Sequence, residues 1–445
     1  MFSRPLKIAV AVGVALCLLG VMVAVNSALS WRPIVINFPL ALSTRYLPMI
    51  WKNNELWLLT REDFGLSPQQ ANAVRLLCFC DENFTDTSFE QLANKVHLQP
   101  WQKARNWNRA PLCIQHAAIT DYSSATVGAF SDVAARSRYS SPEIEIWRKN
   151  KLLHVVAERP HRNGKHSMPV SLPSLLEFSP DGNRLVTDSS FYGRGIPGGA
   201  KTEFCPLGLA VFDVASGRQI VRQSAIEGGF TDFAWSPDSH EIAGITADGW
   251  VFILNARSGN LRTKFRAHQL FGAQIAWSPD GKTLVTATNP RLGYSRTCLR
   301  VYFKSGGDVS MGDGTKTVVV GKGTSKVVLV QKANSDITWN GQTERLLKRF
   351  DARTGKPIGA ALPLQTGAVA LAFSPDGEFL AVGEHNFALI LDAAHLGTER
   401  RLTIPSEQQN RKPSVIEAPV CVAWSPKGTT LATSTWRGLT LWRMR

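Results

Sequence analysis

Five short segments of this chain are near copies of one another: Phe178-Ser-Pro-Asp-Gly182, Trp235-Ser-Pro-Asp-Ser239, Trp277-Ser-Pro-Asp-Gly281, Phe373-Ser-Pro-Asp-Gly377 and Trp424-Ser-Pro-Lys-Gly428. Recurrence at a period of about 40 to 50 residues restricts the fold to stacked or circularly arranged units, because one such unit cannot bury its apolar face alone. In each copy Pro presets φ at the second turn position; Asp suits the third in four copies and Gly closes four, the signature of a tight type I turn. Apolar residues enter the turn at period two: Leu176/Phe178, Phe233/Trp235, Ile275/Trp277, Leu371/Phe373 and Val422/Trp424. That period is a strand's. The residue between is Glu177 in the first copy and alanine in the other four.

A second strand leaves each turn, as in Leu185-Val-Thr187 and Leu284-Val-Thr286, and a third follows, as in Leu209-Ala-Val-Phe212 and Phe387-Ala-Leu-Ile-Leu391. Three third strands end in related turns, Asp213 to Gly217, Asn255 to Gly259 and Asp392 to Gly397, before a fourth runs outward. Four antiparallel strands per repeat describe a blade of an all-β propeller. The pattern resembles the WD-repeat family. Phe212-Asp213, Phe350-Asp351 and Leu391-Asp392 stand where that family has Trp-Asp, and Ala267-His268 matches its Gly-His pair. The resemblance covers residues 174 to 445 and implies a rigid scaffold for protein complexes. No repeat keeps Trp-Asp and one keeps the His, so the family's buried Asp-His-Ser/Thr-Trp network is expected to be absent or partial.

The interval from Trp277 to Phe373 is 96 residues, whereas the others run from 42 to 57. One closing turn, Asp351 to Gly355, favours a single blade carrying a β-hairpin insertion near 304–345, with Leu299 to Tyr302 as one of its strands. This gives seven blades; two degenerate blades in the interval would give eight. Upstream, Ala117 to Phe130, Glu143 to Trp147 and Leu152 to Val156 read as a blade with a loop around Ser137 to Ser141. Met49 to Trp51, Glu55 to Leu59 and Val74 to Cys78 read as another, with insertions near 61–112 that include short helices at Ser67 to Ala71 and Phe89 to Lys95. The chain ends on a third strand, Leu439 to Trp442. Arg32 to Phe38 is expected to supply the fourth and close the ring, which removes exposed strand edges. The domain reading is residues 1–30 as anchor or signal sequence and 31–445 as the propeller.

Arg4 and Lys7 precede Ile8 to Val25, 18 residues without a charge. That length just crosses a hydrocarbon core of about 30 Å. It exceeds a signal-peptide core of about 7–15 residues, so an uncleaved transmembrane helix is expected, with cleavage near Ala28-Leu-Ser30 as the alternative. Cys17 follows Leu16, which argues against a lipoprotein signal. Positive charge on the short N-terminal side favours a propeller outside the cytoplasm, with one facing the cytosol as the alternative. Of the six later cysteines, Cys78 and Cys80 share one face of a strand. The spacings lack paired Cys-x-x-Cys zinc motifs. Buried isolated thiols are the plain expectation, and a bridge from Cys78 or Cys80 to Cys113 is the alternative an oxidising compartment would permit.

The net charge of +15, from 50 basic and 35 acidic residues, favours anionic partners. The densest basic run spans 148–166, including Arg148, Lys149, Lys151, Arg159, Arg162 and Lys165. It reads as a solvated loop or as a contact to acidic lipid; no motif points to nucleic acid. Enzyme motifs fail. Lys322 in the stretch Gly314 to Gly323 is followed by Gly where a phosphate loop has Ser or Thr, and Asp308 and Asp313 miss calcium-loop spacing. His268 reads as a structural brace and Asp181, Asp238, Asp280 and Asp376 as turn residues. No catalytic, cofactor-binding or metal-ligating residue is assigned. The expected function is a membrane-anchored interaction scaffold with an unidentified protein partner, of which a Tol-type envelope propeller is a variant. The alternative is an exported propeller enzyme (hydrolase, lactonase or quinone-cofactor dehydrogenase) with polar side chains converging in its central funnel.

Overall fold

The computed structural model describes residues 34–37, 49–52, 55–61, 74–80, 122–127, 133–138, 143–148, 151–157, 162–163, 166–167, 175–190, 206–223, 230–246, 249–269, 272–290, 309–312, 315–320, 327–331, 338–339, 344–404, 420–435 and 438–444. These residues are all-β, and their strands form several four-stranded antiparallel sheets, an arrangement compatible with a propeller. In chain order, sheet I holds Met49–Lys52, Glu55–Arg61 and Val74–Cys80. Sheet II holds Tyr122–Val127, Val133–Arg138, Glu143–Arg148 and Lys151–Ala157. Sheet III runs Leu176–Phe178, Arg184–Ser190, Pro206–Asp213, Gln219–Gln223, and sheet IV Phe230–Trp235, Glu241–Thr246, Trp250–Asn255, Leu261–Arg266. Sheet V joins Gly272–Trp277, Thr283–Thr288, Leu346–Asp351 and Pro357–Pro363, and sheet VI Ala370–Phe373, Phe379–Gly383, Phe387–Asp392 and Thr398–Thr403. Sheet VII takes three strands from the C-terminus, Cys421–Trp424, Thr430–Thr435 and Gly438–Arg443. Its fourth is Ile34–Asn37, paired with Ile34 opposite Leu441 and Ile36 opposite Leu439.

Sheet V is continuous across the long interval: Thr283–Thr288 pairs directly with Leu346–Asp351. The insertion between them is larger than the expected hairpin. It is a separate four-stranded sheet of Val309–Gly312, Thr315–Val320, Val327–Gln331 and Thr338–Trp339. Upstream, Val133–Arg138 is a strand in sheet II, so Ser137 is not in a loop as expected. The 1–30 segment, the helices at 67–71 and 89–95 and the strand at 299–302 lie outside the described residues. Among those described, no helix is long and apolar enough to cross a membrane.

The repeated turn is built around its serine. Ser179, Ser236, Ser278, Ser374 and Ser425 are all buried. Each accepts at its carbonyl the N–H of the closing residue, at 2.8–2.9 Å. Each hydroxyl also accepts the N–H five residues on: Arg184, Glu241, Thr283 and Phe379 at 2.9 Å and Thr430 at 3.0 Å. In the four Asp-bearing copies the same hydroxyl donates to the aspartate, at 2.5–2.6 Å. The closing residue has φ near +70°, held by Gly in four copies and by Ser239 (φ 64°) in the second copy, in sheet IV. Ser239 offsets that strain by accepting the Asp181 N–H from sheet III at 3.1 Å. The second turn departs at Asp392, where Leu396, not Gly397, takes positive φ (60°) while remaining buried.

Neighbouring sheets pack face to face. Val186, Val211 and Val221 of sheet III interlock with Phe233, Ile242 and Phe252 of sheet IV, and Ile253 and Ala234 of sheet IV with Ile275, Leu284 and Phe350 of sheet V. First strands lie side by side in the order II, III, IV, V, VI, VII, and that of VII also lies against Met49–Lys52 of sheet I.

Candidate functional site

The first strands bring their polar groups toward one another. In sheet IV, Asp232 accepts the N–H of Ile275 in sheet V at 3.0 Å, and the Thr231 hydroxyl donates to the Gly272 carbonyl at 3.0 Å. The Trp235 indole donates backward to the Glu177 carbonyl of sheet III at 3.3 Å; Trp424 does the same to Ala372 of sheet VI at 3.0 Å. Two of the five aromatic positions therefore clasp the preceding sheet. Trp277 instead bonds its own turn at Gly281.

Two carboxylates stand out on these strands. Asp232 is half-buried by surface yet lies deep among protein atoms, and that desolvation raises its pKa to about 7 against the bonds from Ile275 and Phe233. Glu177 is raised well above the ordinary carboxylate range, first by desolvation and then by the charge of Asp232. Cys421, at the corresponding place in sheet VII, is free and exposed, yet surrounding protein raises its thiol. It is not the buried thiol expected. Glu177 was visible in sequence as the one non-alanine in its column, whereas Asp232 carried no signal there.

His268 is buried at 1% exposure. Its Nδ1 faces Glu344 Oε1 at 3.1 Å and its Nε2 the Thr286 hydroxyl at 2.9 Å. Glu344 also accepts the Gln269 N–H at 2.8 Å and pairs with Lys348 at 3.3 Å. Burial alone would raise Glu344, but the His268 bond and the Lys348 charge outweigh it and hold its pKa at about 2; burial lowers His268. Beside the Glu344 carboxylate Nδ1 is the donor, and Nε2 lies against the Thr286 hydroxyl. In sheet VII the Trp442 indole donates to Thr433 at 2.9 Å. The His268–Thr286–Glu344 cluster and the Trp442–Thr433 pair are thus separate local networks, with Glu344 as an acid the sequence did not single out.

The same device recurs. Asp188 accepts the Leu175 N–H at 2.8 Å and Glu384 the Thr366 N–H at 2.5 Å, each bond fastening the segment that enters the sheet's own first strand. Asp181, Asp238, Asp280 and Asp376 all sit in their turns, and the Ser236 and Ser278 hydroxyls hold Asp238 and Asp280 below the usual range. Within the basic run, Lys151 lies on the outer strand of sheet II, and Arg162–Asn163 pairs with His166–Ser167. Cys78 and Cys80 lie on Val74–Cys80; Cys113, Asp308 and the glycines at 314 and 323 lie outside the described residues. Among the described residues no three His, Cys, Asp or Glu side chains are grouped to hold a metal. Comparison with known proteins finds no protein-family model and no curated protein that matches this chain.

Proposed function

We propose that the chain is a membrane-anchored, seven-bladed, WD-repeat-like propeller that acts as a protein-interaction scaffold without catalysis. The observation carrying the reading is the side-by-side order of first strands, which runs from sheet II to sheet VII and returns to sheet I, with Ile34–Asn37 completing sheet VII. Thr231, Asp232 and the Trp235 and Trp424 indoles on those strands fasten one sheet to the next, which suits a rigid platform and leaves loops and rims as binding surface. The inserted sheet at 309–339 is then an appendage of the fifth blade. Photo-crosslinking of the full-length chain in intact cells, read by mass spectrometry, should yield discrete protein partners on the propeller. Crosslinks confined to lipid and to the 1–30 segment would refute the scaffold. Protease should reach the propeller from outside intact spheroplasts; protection there would reverse the orientation.

The enzyme reading is favoured by one observation, the Glu177–Asp232 pair with raised pKa values on adjacent first strands. Asp232→Asn combined with Glu177→Gln separates the two. Unchanged crosslinks and no turnover lost on ester, lactone and sugar substrates support the scaffold; turnover abolished by the pair supports the enzyme.

A further inference from the structure

Among the described residues the large hydrophobic side chains most open to solvent are Leu152 (46%), Val155 (51%), Ile220 (39%) and Leu261 (48%). All four lie on the outermost strands of three consecutive sheets, II, III and IV. Those strands, Lys151–Ala157, Gln219–Gln223 and Leu261–Arg266, contain no acidic residue and carry Lys151, Arg222, Arg262, Lys264 and Arg266. The three edges are linked. His154 reaches the Ala215 carbonyl at 2.9 Å, Gln223 the Gly259 carbonyl at 3.2 Å and Arg262 the Ala352 carbonyl at 2.7 Å.

The edge of sheet II is the most exposed. Its register slips between Ile146 and Trp147, so that Leu152 pairs with Trp147 and Val155 with Glu145. Three residues apart, Leu152 and Val155 would face opposite ways in a regular strand; the slip puts both on one face. That face turns from sheet III, because Ile144, Ile146 and Val156 on the other side pack with Phe178, Leu185 and Phe212. Glu145, on the exposed face, accepts the Trp147 indole at 3.1 Å. Lys151–Ala157 is also the terminal strand in its sheet's order, so among the described strands its outer N–H and C=O row meets no partner. An aliphatic edge without Pro or acidic residues is a template for another strand.

We propose that this edge docks an extended polypeptide segment of a partner protein. The segment adds as a strand along Lys151–Ala157, covers Leu152 and Val155 with its own apolar side chains, and sets carboxylates against Lys151 and the exposed Lys264, whereas Arg262 is already paired with Glu241. The inference rests on the scaffold reading and names its surface and the chemistry of the partner. A bilayer fits less well. Ile34 lies nine residues beyond Val25, a reach of at most about 32 Å, so an anchor ending at Val25 would keep sheet VII near the membrane. In the proposed ring sheet I stands between VII and II, and sheets III and IV lie farther round.

The test uses the full-length chain in nanodiscs, titrated with the fluorescent peptide Glu-Val-Glu-Val-Glu-Val-Glu and its lysine counterpart. The acidic peptide should bind at least tenfold tighter and slow amide exchange in Lys151–Ala157. Leu152→Asp with Val155→Asp should weaken binding at least tenfold, whereas Ala360→Asp on the outer edge of sheet V should not, with unchanged circular dichroism in both. Several results would overturn the proposal: no binding of the acidic peptide, binding indifferent to the aspartates, or slow exchange at 151–157 before any peptide is added. The last outcome means the chain's own segment covers the edge. Slowing by anionic lipid alone would hand the edge to the membrane and equally refute the proposal. Partner crosslinks elsewhere on the chain would then leave the scaffold standing while removing this edge from it.

Discussion

At the residue scale, the turn serines are worth more than their size suggests. The Ser374 hydroxyl satisfies the Phe379 N–H and donates to Asp376, so Ser374→Ala strands a buried donor and deprives a carboxylate. Leaving such a group unpaired costs about 1–3 kcal/mol. Ser425 serves Thr430 in the same way, but its copy has Lys427 where the others have Asp. Urea unfolding should therefore show Ser374→Ala losing more than Ser425→Ala; equal losses would deny the aspartate any part. Asp232 gives a pH signature. Its folded pKa of about 7 lies above the unfolded value of about 4, so the folded state holds the proton more tightly and stability falls as pH rises between the two. Asp232→Asn keeps an oxygen for the Ile275 N–H and escapes that penalty. It should raise stability by about 1–2 kcal/mol at pH 8, after discounting for solvent contact, and change little at pH 4. Thermal melts at the two pH values check it, and an equal gain at both would disprove the titration.

At the scale of single sheets, acidic residues fasten the segments that enter sheets III, V and VI. Glu344 is the clearest case, with a folded pKa of about 2 against an ordinary 4.5. A depressed carboxylate adds stability above the unfolded pKa and loses it as pH falls toward the folded one, here from about 4.5 to 2. Glu344→Gln should therefore cost about 2–3 kcal/mol at pH 7 and flatten the acid limb of the stability curve, with His268 and Lys348 left facing a neutral amide. An unchanged acid limb would mean that the His268 cluster contributes nothing. The Ser-Pro-Asp-Gly strands were legible from period-two alternation, and so were the closing turns. Asp188, Glu344 and Glu384 were not, because each meets its backbone partner across 13 to 75 residues of chain.

For the whole molecule, the decisive bond is the pairing of Ile34–Asn37 with Gly438–Arg443, which joins the two ends of the chain. Replacing Val35 and Ile36 together by Pro removes whichever N–H points at that strand. Thermal unfolding should then start at a lower temperature and lose cooperativity, with exchange in Gly438–Arg443 rising first. A melt identical to that of the parent chain would show that the ends are held by something else. Repetition and periodicity in the sequence determined that this chain builds serial antiparallel sheets with tight turns, because those features depend only on neighbours along the chain. Three further features required tertiary structure: the sheet continuous across a four-stranded insertion, the pairing of two carboxylates from different sheets, and the slip that aligns Leu152 with Val155. Each depends on which distant backbone atoms come within hydrogen-bonding or electrostatic reach, and no local pattern of residue types records that distance.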